Sequence, residues 1–337
     1  MSDAVTAAHR LLLVHAHPDD ESIGTGATMA HYVAQGAHVT LVTCTLGEEG
    51  EVLVPALALL AADQADQLGG WRIAELAAAM AELGVTDHRF LGGAGRFRDS
   101  GMMGQHANEH PRAFWRADRD PAVFDTAVAA LVEVIREVRP QVLVSYDNFG
   151  GYGHPDHIMA HRVTTAAAEA AADPGYPVAG KPWSVAKFYW TATPRSVVAE
   201  QLAAVAAART PFDAVPSVAD VPSSVADDLV TTVIDAASQH AAKSRALAAH
   251  RTQITVSGQF YALSNNLGQQ VSGIEYYRLA SGAVGGDLDA AGRETDLFGG
   301  IAPDSAAARA ADSAAARAAD SAPARPADSA APCPAGG

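Results

Sequence analysis

The sequence predicts a doubly wound α/β fold with a mostly parallel central sheet, a smaller C-terminal lobe and a disordered tail. Short apolar runs, rich in β-branched and aromatic residues, alternate with segments of helical periodicity up to residue 192. This alternation is typical of a parallel sheet whose helices cover both faces. The pattern then becomes less regular, and a low-complexity repeat begins at Asp304. We therefore expect an α/β domain over residues 1–192, a lobe over 193–303 and a tail over 304–337.

Five segments of the predicted domain have the composition of buried strands. Each is short and rich in β-branched or aromatic residues, which suits a strand covered on both faces. The segments are Arg10–His15, His38–Thr43, His88–Leu91, Gln141–Tyr146 and Val185–Trp190. We expect parallel strands joined by right-handed crossovers, in the order 3-2-1-4-5 of a doubly wound sheet.

Helical periodicity occupies the segments between these strands. The predicted helices are Thr25–Ala34, Arg72–Leu83 and Pro121–Val138. Gly36 and Gly84 favour the ends of the first two, because glycine readily adopts the left-handed conformation that closes a helix. Asp120 and the proline after it favour the start of the third. In the lobe, the pattern predicts a helix over Asp235–His250 and a strand near Tyr276–Leu279.

The last segment of the chain is a repeat of alanine, arginine, aspartate and serine. The dipeptide Asp-Ser recurs at 304, 312, 320 and 328, and this period of eight matches neither a heptad nor an α-helical turn. Almost no side chain larger than alanine is available to form a core. The composition therefore predicts disorder over 304–337.

Charge and cysteine content exclude several classes of protein. The formal net charge is -15, which repels nucleic acids, and the chain has no basic patch to offset it. Its 2 cysteines, Cys44 in an apolar run and Cys333 in the tail, favour a reducing compartment. No segment has the apolar length of a membrane span, and the first ten residues lack the pattern of a secretion signal. We expect a cytoplasmic protein with no nucleic-acid or membrane partner.

Two similar tetrads carry most of the reactive side chains. They are His17-Pro18-Asp19-Asp20 and His154-Pro155-Asp156-His157, and each follows a predicted strand and precedes a helix. In the order 3-2-1-4-5 these strands, the first and fourth, are neighbours, and ligands bind outside the carboxyl ends of such a pair. The two tetrads are therefore predicted to meet in one site.

The chemistry of these side chains favours metal-assisted hydrolysis. Two imidazoles and one carboxylate leave open positions on a metal, which suits catalytic Zn²⁺ and also non-haem Fe²⁺. A free carboxylate beside the metal can act as a base, and the remaining imidazole as an acid or oxyanion partner. The residues alone leave open which of His154 and His157 is the ligand.

Structural readings compete with these functional ones. Asp19 or Asp156 alone would be read as a carboxylate complementing a helix dipole, and only the pair of tetrads reverses that reading. His15 is interpreted as a packed histidine beside the site. Arg72 and Asp99 are read as structural from the sequence alone, and the acidic run Gly47–Glu51 as either polyol-binding or solvated.

Longer stretches around these residues resemble the LmbE-like (PIG-L) deacetylase family. The matching stretches are AHPDDE at Ala16–Glu21, TCTLGEEGEV at Thr43–Val52, ADQLGGWRIAEL at Ala65–Leu76, LGGAGRFRDSGM at Leu91–Met102 and GGYGHPDH at Gly150–His157. The middle stretches, with Ala262–Asn266 and Gly292–Phe298, narrow the resemblance to the mycothiol branch of the family. It covers roughly residues 10–300 and omits the tail.

The resemblance implies a function and a cofactor. Members of that branch hydrolyse N-acetylglucosaminyl-inositol, a small amino-sugar inositol, to glucosaminyl-inositol and acetate. By resemblance His17, Asp20 and His157 are the ligands of one Zn²⁺ per chain, with Fe²⁺ as an alternative, and Asp19 is the base.

The resemblance also implies roles for the surrounding residues. His154 is the acid or oxyanion partner, Asp156 orients it, and Tyr152 polarises the acetyl carbonyl. Arg72, Asp99 and Glu51 become substrate contacts. A homo-oligomer is left open.

Three alternative functions are kept beside this one. A related amidase that cleaves mycothiol S-conjugates would share the metal site, although LGGAGRFRDSGM and the lobe favour the deacetylase. A dinucleotide-binding module is disfavoured because Gly24-Thr25-Gly26 has no third glycine at the required place. An Fe²⁺ oxygenase is set aside because its triads usually lie on all-β scaffolds.

Overall fold

The computed structural model describes residues 9–215 and 217–302, so the predicted tail lies outside the described residues. The strands are β1 Arg10–His15, β2 His38–Thr43, β3 Asp87–Phe90, β4 Val142–Ser145, β5 Lys187–Thr191, β6 Thr193–Pro194, β7 Ser224–Val225, β8 Thr232–Asp235, β9 Thr255–Ser257, β10 Phe260–Ala262, β11 Gln269–Gln270 and β12 Ile274–Ser281. The helices are α1 Asp20–Gly24, α2 Gly26–Ala34, α3 Leu68–Leu83, α4 Pro121–Val138, α5 Pro155–Ala172, α6 Arg195–Ala207 and α7 His240–Ala249.

Within the described residues, the largest sheet has seven strands in the order β3-β2-β1-β4-β5-β12-β8. Strands β1 to β5 are parallel and follow the predicted order. Leu11 of β1 is in register with Val39 of β2 on one side and with Val142 of β4 on the other. β12 runs antiparallel to both β5 and β8. The predicted α/β fold with a mostly parallel sheet is confirmed.

Alternate side chains of β1 supply two hydrophobic cores, one on each face of the sheet. Leu11 and Leu13 pack in the core that contains residues of α2, α3 and α7. Leu12 and Val14 pack in the core that contains residues of α4 and α5. Burying one such side chain contributes about 1.5–3 kcal/mol. A sheet covered on both faces therefore holds the end of β1 rigidly, and the first tetrad follows that end.

The helix α4 begins and ends as the sequence predicts. The Asp120 side chain accepts a hydrogen bond from Ala122 N at 3.1 Å and caps the first turn. Other helix boundaries differ from prediction. The helix predicted over Asp235–His250 is wrong in its first part. Asp235 ends β8 and pairs with Ile274 of β12, Ala237–Gln239 form a 3-10 turn, and the α-helix begins only at His240.

The segment predicted as a C-terminal lobe contributes two strands, β8 and β12, to the central sheet. The predicted boundary at residue 192 therefore lies between strands of one sheet, and the division at that residue stays a prediction. In the part of the chain that the structure describes, helices fall short of the length and apolar character that crossing a membrane requires.

Candidate active site

The two tetrads lie side by side because β1 and β4 are paired. The first tetrad follows β1 and leads into α1, and the second forms the start of α5. The ring centroids of His17 and His154 are 4.6 Å apart, and those of His17 and His157 are 5.2 Å apart. Three imidazoles and the carboxylates of the same tetrads are thus brought to one end of the parallel sheet.

Asp20 lies between two of these imidazoles. Its Oδ2 atom is 3.3 Å from His17 Nδ1 and 3.4 Å from His157 Nε2. In a tetrahedral zinc site with bonds of about 2.0–2.1 Å, neighbouring ligand atoms are about 3.3 Å apart. Two of the three sides of a ligand triangle formed by His17, Asp20 and His157 therefore have a length that suits a metal ion such as zinc. His17, His154 and His157 each offer a nitrogen within 4.8 Å of the others, and ligand atoms of His17, Asp99 and Asp156 form a second such group, so each of these groups could also hold an ion.

The second nitrogen of His17 faces two carboxylates. His17 Nε2 is 3.3 Å from Asp156 Oδ2 and 3.5 Å from Asp99 Oδ1. Burial lowers the pKa of His17, but the Asp99 charge and the hydrogen bonds with Asp156, Asp20 and Asp99 raise it well above its usual value. A carboxylate on the far nitrogen is the usual way in which proteins orient a histidine that binds metal. Asp99 and Asp156 are placed to orient His17.

Asp156 is held by the loop that precedes α4. Ser100 donates to it twice, from N to Oδ2 at 2.8 Å and from Oγ to Oδ1 at 2.5 Å. Its backbone N donates to His154 Nδ1 at 3.1 Å. The contact between Asp156 and His154 is therefore made by the backbone, while the carboxylate faces His17.

His154 is a neutral hydrogen-bond donor in this arrangement. Because its Nδ1 accepts from Asp156 N, the proton of the neutral ring lies on Nε2. Burial, with the neighbouring His17 and His157, lowers the pKa of His154 to about 3. A neutral imidazole with a free N–H suits an oxyanion partner.

The Asp19 carboxylate is paired with Arg72. Its Oδ2 accepts from Arg72 Nη2 at 2.9 Å, and the same guanidinium also donates to the backbone carbonyls of Pro18 and Gly47. Burial raises the pKa of Asp19 to about 6, although the Arg72 charge opposes the change. Arg72 thus holds the carboxylate of a candidate base, and its predicted contact with substrate stays a prediction.

A cleft of about 720 Å³ opens over these groups. All the predicted site residues line this cleft except Asp156, which is fully buried and does not reach the cleft surface. Tyr152 stands at the mouth, 41% exposed, with its hydroxyl 3.5 Å from His157 Nε2. Glu51 also lines the cleft and is exposed. Gln253 and Tyr261, from the later part of the chain, complete the wall.

Several residues of the site were not found from the sequence. Tyr146 was assigned only to a strand, but its ring stacks on His157 at 4.2 Å, and its hydroxyl accepts from Ala16 N at 3.0 Å. Glu21 and His250 form a buried ion pair behind Asp19. Tyr146 closes a predicted strand and Glu21 closes the AHPDDE stretch, so both lie in segments that the sequence analysis singled out, whereas nothing in the spacing marks His250.

The chain is similar in sequence to a known protein family and to named proteins of other organisms. The family described as PIG-L: GlcNAc-PI de-N-acetylase matches residues 12–168. A protein of Geodermatophilus obscurus is 60% identical over 300 residues, covering 88% of this chain and 99% of the relative. A protein of Acidothermus cellulolyticus is 60% identical over 295 residues, covering 86% and 94%. Both are named 1D-myo-inositol 2-acetamido-2-deoxy-alpha-D-glucopyranoside deacetylase.

Solved structures share the fold at low sequence identity. GalB, the 4-carboxy-2-hydroxymuconate hydratase of Pseudomonas putida, is 19% identical with a TM-score of 0.52, covering 83% of this chain and 100% of that one. Its different reaction shows that the fold alone does not determine the chemistry. The family expected from the motifs is confirmed by the sequence relatives, and the chain belongs to the PIG-L family of de-N-acetylases.

Proposed function

We propose that the chain is a metal-dependent amide hydrolase that converts N-acetylglucosaminyl-inositol to glucosaminyl-inositol and acetate in mycothiol biosynthesis. One observation carries the metal-dependent part: Asp20 Oδ2 lies 3.3–3.4 Å from imidazole nitrogens of both His17 and His157. The names of the relatives support the substrate. We propose Zn²⁺ as the ion and a cytoplasmic location, with Fe²⁺ as the alternative metal.

In this proposal His17, Asp20 and His157 hold the metal. When bound there, the ion would lower the pKa of a water molecule and polarise the acetyl carbonyl. Asp99 and Asp156 fix the ring of His17 through its far nitrogen. Three protein ligands would leave the remaining coordination positions of the metal open to water and substrate in the cleft.

The proton transfers fall to Asp19. With a pKa of about 6 its carboxylate can accept a proton from the attacking water near neutral pH and return it to the leaving nitrogen. His154 donates from Nε2 to the developing oxyanion, and the Tyr152 hydroxyl, at the mouth of the cleft, polarises the acetyl carbonyl. Arg72 keeps the Asp19 carboxylate oriented, and Glu51 is available to bind sugar or inositol hydroxyls.

An acetate-release assay with defined metal content tests the proposal. We expect stoichiometric acetate and free amine from N-acetylglucosaminyl-inositol, loss of turnover with a chelator, and recovery with Zn²⁺ or Fe²⁺. A mycothiol S-conjugate is assayed in parallel. A higher kcat/KM for the conjugate, or full turnover of metal-free protein, would contradict the proposal.

A further inference from the structure

The backbone of Asp19 is held in an unfavourable conformation. Its φ of 123° and ψ of -31° lie where side-chain-bearing residues are strained. Such strain costs about 1–3 kcal/mol and persists only when the surroundings fix it. Arg72 fixes the side chain, but the backbone has its own partner, since Asp19 N donates to Glu21 Oε2 at 2.8 Å.

Glu21 is fully buried and uses both carboxylate oxygens. One oxygen binds Asp19 N, and the other accepts from Ser22 Oγ at 2.6 Å and from His250 Nε2 at 2.7 Å. The side chains of Glu21 and His250 are both 0% exposed. A carboxylate buried to this extent needs a partner, because an uncompensated charge in the interior costs several kcal/mol. His250 supplies that partner.

His250 is itself firmly placed. It follows α7, and its backbone carbonyl accepts from Gln253 N at 2.9 Å and from Ile254 N at 2.8 Å. Neither Glu21 nor His250 lines the cleft. The pair is therefore in position to act on the reaction only through the residue that Glu21 binds.

We propose that Glu21 and His250 are positioning residues that lock the strained backbone of Asp19 and so aim its carboxylate at the attacking water. The proposal rests on the proposed role of Asp19 as base. Because the pair is remote from the substrate cleft, its loss should lower kcat and leave KM nearly unchanged. A misplacement of the order of 1 Å costs up to about 10²-fold in rate.

A double-mutant cycle tests this coupling. We expect His250→Leu to lower kcat by about 10- to 10²-fold in the parent and by less than about twofold in an Asp19→Asn background, where the base is already absent. His250→Gln, which keeps an N–H donor, should recover much of the loss. Equal losses in both backgrounds would show that His250 acts on the fold or the metal site, and would overturn the proposal.

A second measurement needs neither metal nor substrate. Hydrogen exchange of the Asp19 amide in the metal-free protein should accelerate in His250→Leu, and unchanged exchange would also overturn the proposal. If His250→Leu does not fold, His250→Gln and the neutral double variant Glu21→Gln/His250→Gln provide the comparison. A parent that releases no acetate would refute the proposed function, whereas the amide exchange would still test the pair.

A matched control exists at the opposite end of the sheet. His38 Nε2 and Asp87 Oδ2 form another histidine–carboxylate pair, 3.1 Å apart, where β2 begins. His38→Gln should change neither kcat nor the exchange of the Asp19 amide. A comparable effect of this variant would mean that loss of any such pair disturbs the site.

Discussion

Asp19 and Asp20 are adjacent carboxylates in opposite environments. Burial raises the pKa of both, but the charge and hydrogen bond of His157, with those of His17, bring the pKa of Asp20 well below its usual value. Burial outweighs the opposing charges of Arg72 and His250 and keeps the pKa of Asp19 raised, at about 6. Divergent pKa values of neighbouring groups indicate divided roles in catalysis. The lowered pKa of Asp20 suits the proposed ligand, which must stay ionised, and the raised pKa of Asp19 suits the proposed base, which must exchange a proton.

This division of roles predicts different outcomes for Asp19→Asn and Asp20→Asn. Asp19→Asn should lower kcat by about 10²–10⁴-fold while metal content stays at the parent level, because a positioned base is lost and no ligand is. Asp20→Asn should lose the metal as well. Turnover combined with metal analysis checks both. Loss of metal from Asp19→Asn, or a kcat within a few-fold of the parent, would reverse the assignment.

Site residues could be predicted from the sequence where they are contiguous in the chain, and not where they come from distant segments. The tetrads could be found because each is contiguous and follows a buried strand. The Glu21–His250 pair joins residues 229 positions apart, so although Glu21 closes the AHPDDE stretch, nothing in the sequence identifies its partner. The family resemblance implied that Asp156 orients His154, but the Asp156 carboxylate lies 3.3 Å from His17 Nε2 instead.

At the scale of elements, the start of α5 depends on one glycine of the preceding loop. Gly150 has a φ of +66°, and a Cβ there would lie 2.6 Å from His157 Cβ and 2.7 Å from Ile158 N. Those contacts are shorter than real Cβ atoms allow. The loop that carries Tyr152 can therefore lie against the helix start only because this residue has no side chain.

Gly150→Ala should displace His157 and weaken metal binding as well as stability. The matched control is Gly36→Ala, whose φ is +82° but whose Cβ would meet nothing within 4 Å. Left-handed strain alone costs about 1–2 kcal/mol, so the control should lose that much stability and keep the parent's metal affinity. Metal titration and thermal unfolding measure both. Equal metal affinities in the two variants would show that His157 adjusts without cost.

Helices and strands with strong local signals were predicted well, and their boundaries less so. α4 has a proline, a capping aspartate and a clear apolar face, and its predicted and observed limits agree. Thr232–Ile234 carries no local sign of its partner, because the pairing strand β12 lies about forty residues further on. Antiparallel additions to a parallel sheet depend on such distant pairing, so the sequence pattern alone did not reveal β8.

At the scale of the whole molecule, one buried carboxylate contacts sheet strands from both sides of the predicted boundary at residue 192. Glu294 is 0% exposed and forms an ion pair with Lys187 of β5. It also accepts from Tyr189 Oη at 2.8 Å, from Thr232 Oγ1 of β8 at 2.9 Å and from Gly285 N at 2.7 Å. Strands from the predicted α/β domain and from the predicted lobe thus share a single polar anchor.

We therefore predict that Glu294→Ala destabilises the whole sheet. It leaves the Lys187 ammonium buried without its carboxylate, a change that typically costs about 3–5 kcal/mol. Lys187→Met combined with Glu294→Leu should recover only part of this loss, because the apolar pair removes the uncompensated charge but leaves the donors of Tyr189, Thr232 and Gly285 without this acceptor. Glu137→Ala is the control, since Glu137 is 53% exposed where it pairs with Arg89, and such surface pairs contribute less than about 1 kcal/mol. Urea unfolding measures the free energies, and a loss for Glu294→Ala as small as the control's would show that the anchor does not hold the two parts together.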